Sequence, residues 1–182
     1  NVGNASPIGD MPPVLIALGA TLTLRRGSQY REMAAEDYFV SYKVTAQQES
    51  EFIELISIPR PRPNQAFKVY KITKRLEDDI SATCGAFSIE LDEDTVVSAC
   101  IAFGGMAEIP RRAYNCEQAM LNQPWNEKTI EAAMRALAKD FNPISDFRSS
   151  AAYRLEVSQN FLKRFYLELH SDAAPVRVTH YA

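Results

Sequence analysis

The run PRPRP at residues 59–63 constrains this chain more than any other stretch. Three prolines in five positions fix φ and remove three backbone donors, so neither a helix nor a central strand can pass through. The chain is therefore expected to divide there. Residues 1–63 form one part, ending in the linker, and residues 64–182 form another. With 182 residues, 46% of them hydrophobic, there is apolar mass for one large core or two small ones.

Before the linker, residues 11–18 read as a short helix. Pro12 and Pro13 suit its first turn, where an N–H is not needed. Asp10 or Ser6 is a candidate cap, and Gly19 is a stop. Residues 21–25 alternate as a strand, Gly27-Ser28 is a turn, and residues 30–33 return as a hairpin arm. Residues 35–38 read as a helical turn and residues 51–58 as a strand ended by Pro59. After the linker come strands at residues 67–74, 82–91 and 96–103. The last two form a hairpin around Asp92-Glu93-Asp94, and Gly104-Gly105 then breaks the ladder. Helices follow at residues 112–121 and after a capping Asn126, with Ile130, Ala133, Met134, Leu137 and Phe141 on one face. A last helix spans residues 149–169, with Leu155, Ser158, Leu162, Phe165, Tyr166 and Leu169 recurring at helical steps. Strands first and helices later give an α+β class, an antiparallel sheet with helices on one face.

Several functions are disfavoured. Twenty basic against 23 acidic residues give a net charge of −3, with no concentrated basic face for nucleic acid. The longest apolar runs, such as residues 14–18, are too short to cross a bilayer. Cys84, Cys100 and Cys116 are widely spaced, an odd count that argues for a reducing, cytoplasmic setting over a disulfide framework. The two histidines, His170 and His180, lie far from any cysteine, so a metal site is not expected. They also leave hydrolytic chemistry without a natural general base.

The opening NVGNASPIGD supports two readings. One is a polar turn that caps a helix. The other is a phosphate or nucleotide cradle: Gly3 permits close backbone approach, Asn4 and Ser6 supply donors, and Asp10 accepts from a ribose hydroxyl. It is not GxGxxG, so a Rossmann site is not indicated. Lys71 sits in line with Phe67, Val69 and Thr73, and either snorkels to water or meets an anion. The acids of RLEDDI at residues 75–80 read as a solvated loop, or as a charged edge near a ligand. Gly104-Gly105 reads as a bulge or a close backbone contact, and Trp125 as a packing anchor.

These segments together resemble the flavin-binding part of the xanthine dehydrogenase family of molybdenum hydroxylases. The likeness runs through NVGNASPIGDMPPVLIALGA, DYFVSYK at residues 37–43, residues 54–59, Lys71 with RLEDDI, FGGMA at residues 103–107 with Pro110 and Arg112-Ala113, and ISDFRS at residues 144–149. SPIGD and EDDI favour the xanthine dehydrogenase branch over the carbon monoxide dehydrogenase branch. The resemblance implies that residues 1–63 are the rear part of a vanillyl-alcohol-oxidase-type FAD-binding domain. Residues 64–182 would be a CO dehydrogenase flavoprotein-type C-terminal domain. It implies FAD as cofactor and NAD as electron acceptor. Molybdopterin and 2Fe–2S clusters are expected on other domains or subunits, so the partners are an iron–sulfur domain and a molybdenum-binding subunit or domain in a higher oligomer. The lack of an initiator Met is expected of a piece of a longer polypeptide. Carried over by position, Asn1, Asn4, Ser6, Asp10, Ile53, Lys71 and Asp78 are the expected cofactor contacts. Leu76 stands where animal members commonly have Arg. The implied function is electron transfer from iron–sulfur clusters through flavin to NAD during purine oxidation. The alternatives are another molybdenum hydroxylase, acting on an aldehyde or N-heterocycle, and a non-catalytic docking module.

Overall fold

The computed structural model describes residues 1–75 and 80–170. Helix α1 (Met11–Ala17) ends at Gly19, whose φ of +64° suits glycine. Strand β1 (Thr21–Arg26) turns at Gly27 into β2 (Gln29–Ala34), with Thr21 opposite Ala34 and Arg26 opposite Gln29. A 3-10 turn (Ala35–Asp37) follows, then the short pair β3 (Phe39–Ser41) and β4 (Val44–Thr45). Strand β5 (Phe52–Ser57) returns antiparallel to β1, so the first sheet is ordered β2-β1-β5. Leu15, Ile16, Leu22, Leu24, Tyr38 and Phe39 fill the core beneath it.

The second sheet is antiparallel, ordered β6-β7-β8-β9, from β6 (Gln65–Thr73), β7 (Ser81–Asp92), β8 (Thr95–Gly104) and β9 (Arg111–Arg112). Helices α2 (Tyr114–Met120), α3 (Glu127–Asp140) and α4 (Ala151–His170) gather on one side of it. Asn126 caps α3 as its residue type suggests, its Oδ1 accepting from Thr129 N at 3.0 Å. Phe87 anchors this core, stacked on Phe165 and edge-on to Phe103, each with ring centroids 5.6 Å apart. Trp125 is buried edge-on to Phe165, the packing anchor expected.

One expectation needs correction. The second sheet is covered on both faces, not one: α1 packs against β7 and β8 opposite the other helices, and Ala86 and Ala102 join the first core. Their small side chains let the helix approach. Residues 81–89 of β7 are accordingly buried without interruption, as in strands covered on both sides. On β6, Phe67 faces the first core, and the alternate residues face the helices. Ala66, Tyr70 and Ile72 pack there, and Tyr70 Oη donates to Glu168 on α4 at 2.9 Å. Along α4 the buried line runs through Arg154, Ser158, Phe161, Leu162 and Phe165, while Leu155, Tyr166 and Leu169 are its partly buried margins. Among the described residues, no helix is long and apolar enough to cross a membrane.

Candidate functional site

The opening loop folds on itself. Asn4 Oδ1 accepts from Ser6 N at 3.2 Å, Ala5 N donates to Val2 O at 3.2 Å, and Gly9 N donates to Ser6 O at 3.2 Å. Ala5 is fully buried at φ +47°, a conformation disfavoured for a side chain and held by its surroundings. Asp10 takes the N-cap position of α1, but neither it nor Ser6 caps the helix in the manner expected. The Asp10 backbone is helical (φ −82°, ψ −32°), whereas a capping side chain needs an extended backbone. Its carboxylate turns instead to the second sheet. Asp10 Oδ2 accepts from Lys71 Nζ at 2.7 Å, and Oδ1 accepts from Ser81 Oγ. Of the two readings left for Lys71, the structure supplies an anion, and it is the chain's own carboxylate.

Gly104-Gly105 lies beneath this loop. Gly105 N donates to Pro7 O at 2.7 Å, and Gly105 has φ +82°. A Cβ on Gly104 would sit 3.2 Å from Gly9 O and 3.4 Å from Pro7 O. A Cβ on Gly105 would collide with Ala82 O. The glycines thus serve close backbone packing, and what packs on them is the opening loop.

On the loop's other side an open groove of about 510 Å³ is lined by Asn1, Val2 and Gly3 with Gln47, Phe52, Ile53 and Ile56. Gly3 lies near Ile53, since a Cβ there would be 3.8 Å from Ile53 Cδ1. Asn1 rests on Gly9, where an added Cβ would meet Asn1 Oδ1 at 2.8 Å. Tyr38 Oη donates to the groove residue Gln47 at 2.8 Å, fixing it from below. The structure therefore brings Asn1 and Ile53 together at the groove, pairs Asp10 with Lys71, and places Asn4 and Ser6 in the loop between. Asp78 lies outside the described residues. The sequence did not single out Ser81, Gln47 or Arg154 as parts of this region, and isolated polar residues give no periodic signal to find them.

An FAD cofactor fits these residues. Phe52, half exposed, with Ile53 and Ile56 offers an apolar wall for a flat ring, and glycine-relieved backbone beside it can approach a polar, anionic part. Residues 1–61 match the family model described as the FAD binding domain in molybdopterin dehydrogenase. Residues 68–169 match that of the CO dehydrogenase flavoprotein C-terminal domain. The chain is similar to nicotinate hydroxylase hnxS of Emericella nidulans, 32% identical over 173 residues and 91% of this chain. It is likewise similar to xanthine dehydrogenase of the same organism, 31% identical over 94% of this chain. It spans 13% of the length of each of these curated relatives. It also superimposes on reconstituted CO dehydrogenase from Oligotropha carboxidovorans, with TM-score 0.83 and 25% identity over 90% of this chain and 57% of that one. The chain belongs to the FAD-binding flavoprotein family of the molybdenum hydroxylases, a family of oxidoreductases.

Proposed function

We propose that this chain is the FAD-carrying part of a xanthine dehydrogenase-type enzyme, relaying electrons from iron–sulfur clusters through flavin to NAD during purine oxidation. The groove between the opening loop and β5 carries the cofactor reading, because it joins an apolar wall to glycine-bearing backbone. The 31% identity to a xanthine dehydrogenase over 94% of the chain supports the purine branch. In this reading the molybdenum centre and iron–sulfur clusters belong to other domains or subunits of a cytoplasmic higher oligomer. Residues 1–63 and 64–182 act as two domains sharing the site between them.

When bound, the flavin supplies the exchange between one-electron and two-electron chemistry. The chain's own residues bind and orient. Asn1, Asn4 and Ser6 offer polar contacts along the loop, and Ile53 packs against a ring. Asp10 accepts two hydrogen bonds already, and a carboxylate has room for about four, so a ribose hydroxyl can still donate to it. Lys71, fixed by Asp10, brings positive charge to the site.

Two measurements on the native protein test this. Its absorption spectrum should show flavin bands, and xanthine should drive NAD reduction. A colourless protein would favour the docking-module alternative. Lys71→Met should lower the flavin midpoint potential, and an unchanged potential removes Lys71 from the electronic role. A second reading, a hydroxylase of another N-heterocycle, is favoured by the 32% identity to nicotinate hydroxylase. Turnover with nicotinate and not xanthine would select it.

A further inference from the structure

Arg154 is the largest fully buried side chain among the described residues, with 2% of its side chain exposed. On a helix that packs over a sheet, an apolar residue of similar volume would fill the space without desolvating a cation. The guanidinium is not even fully satisfied, since its Nε is buried without a partner among the described residues. What it does hold is specific. Nη1 donates to Ala82 O and to Gly105 O, the latter at 3.1 Å, and Nη2 donates to Asp146 Oδ1 at 2.7 Å. Asp146 is itself pinned, accepting from Arg148 N at 2.9 Å and Ser149 N at 3.1 Å.

Both carbonyls belong to residues one step from the opening loop. Gly105, held through its oxygen, donates its N–H to Pro7 O. Ala82 follows Ser81, whose hydroxyl donates to Asp10. We propose that Arg154 is a positioning residue for the cofactor loop, setting the strand end and the glycine turn on which Pro7 and Asp10 are seated. The inference rests on the reading of residues 1–10 as a cofactor loop.

The test is FAD titration of the native protein after its flavin is removed, using Arg154→Lys, Asp146→Asn, Asp10→Asn and the doubles with Asp10→Asn. Thermal unfolding of the flavin-free proteins is followed alongside. Each single variant should weaken FAD binding about tenfold, the scale of one charged hydrogen bond. Each double should be no more than about twofold worse than its weaker single, because both changes act through the same seat. A purely structural Arg154 would lower the unfolding temperature while its effect on FAD simply multiplied with that of Asp10→Asn, about 100-fold in all. That result, or undiminished FAD affinity in Arg154→Lys, overturns the proposal. If Arg154→Lys does not fold, Asp146→Asn decides by the same criterion. Wild-type protein that takes up no FAD overturns the cofactor-loop reading itself, and the proposal with it. Wild-type binding with additive variants overturns the positioning role alone.

Discussion

Gly105→Ala should be costly, and the structure says by how much. Gly105 has φ +82°, where an L side chain is penalised by about 1–2 kcal/mol. The new Cβ also falls on the Ala82 carbonyl, a backbone atom already held by Arg154 and unable to swing aside. Relieving such an overlap by backbone shift costs about 1–3 kcal/mol. Together these amount to roughly 3 kcal/mol. For a domain of this size, about 2–4 °C of melting temperature is lost per kcal/mol, so the drop should be roughly 6–12 °C. Scanning calorimetry of the native protein and the variant measures it. Gly104→Ala is the companion: its φ is not left-handed, and its Cβ would meet Gly9 O at 3.2 Å and Pro7 O at 3.4 Å. Those atoms belong to the loop, so this variant should lose less stability and act mainly on FAD affinity. A Gly105→Ala protein melting within about 1 °C of wild type refutes the steric reasoning.

Two further outcomes concern protonation. Glu51 accepts from Arg31 Nε and Nη2, both at 2.7 Å, and from Gln48 N at 2.6 Å, and the Arg31 guanidinium above all holds its carboxyl at about 2 against an ordinary 4.5. The unfolded chain binds this proton first as pH falls, so the pair's stabilisation is complete above 4.5 and lost as pH drops toward 2. Denaturant unfolding at about pH 5 and about pH 3 should show wild type losing more stability than Glu51→Gln, and equal losses refute the assignment. Cys84 is 1% exposed, and burial first, then the Asp10 charge, pushes its thiol up to about 12. Peptide mass spectrometry after iodoacetamide near pH 8 should find Cys84 unmodified in native protein and alkylated in urea. Alkylation of the native protein at the unfolded rate would contradict that burial.

The elements readable from sequence are those whose signals are local. Asn126 with the apolar face behind it marks α3, and the alternation of residues 21–25 with its glycine turn marks the first hairpin. Strands β3 and β4, three and two residues long, are too short to show a period. The role of Arg154 is not legible in the sequence, because a cation on a helix normally reads as solvated and only the seating of α4 over β7 buries it. The site is divided in the same way. Gly104-Gly105 announced a close approach, but not by what. Asp10 and Lys71 each stood out as residue types, yet they are 61 positions apart, and Ser81 is 71 from Asp10. Their meeting depends on α1 packing against the face of the second sheet that the strand-then-helix order left open. That packing changes the chemistry as well as the map. Lys71 read alone offers a full positive charge to a ligand, and Asp10 a full negative one. Paired at 2.7 Å, each is held in place by the other, and with the Ser81 hydroxyl they form a junction of directed hydrogen bonds. A cofactor bound there would meet donors and acceptors of fixed direction in place of two freely moving charges.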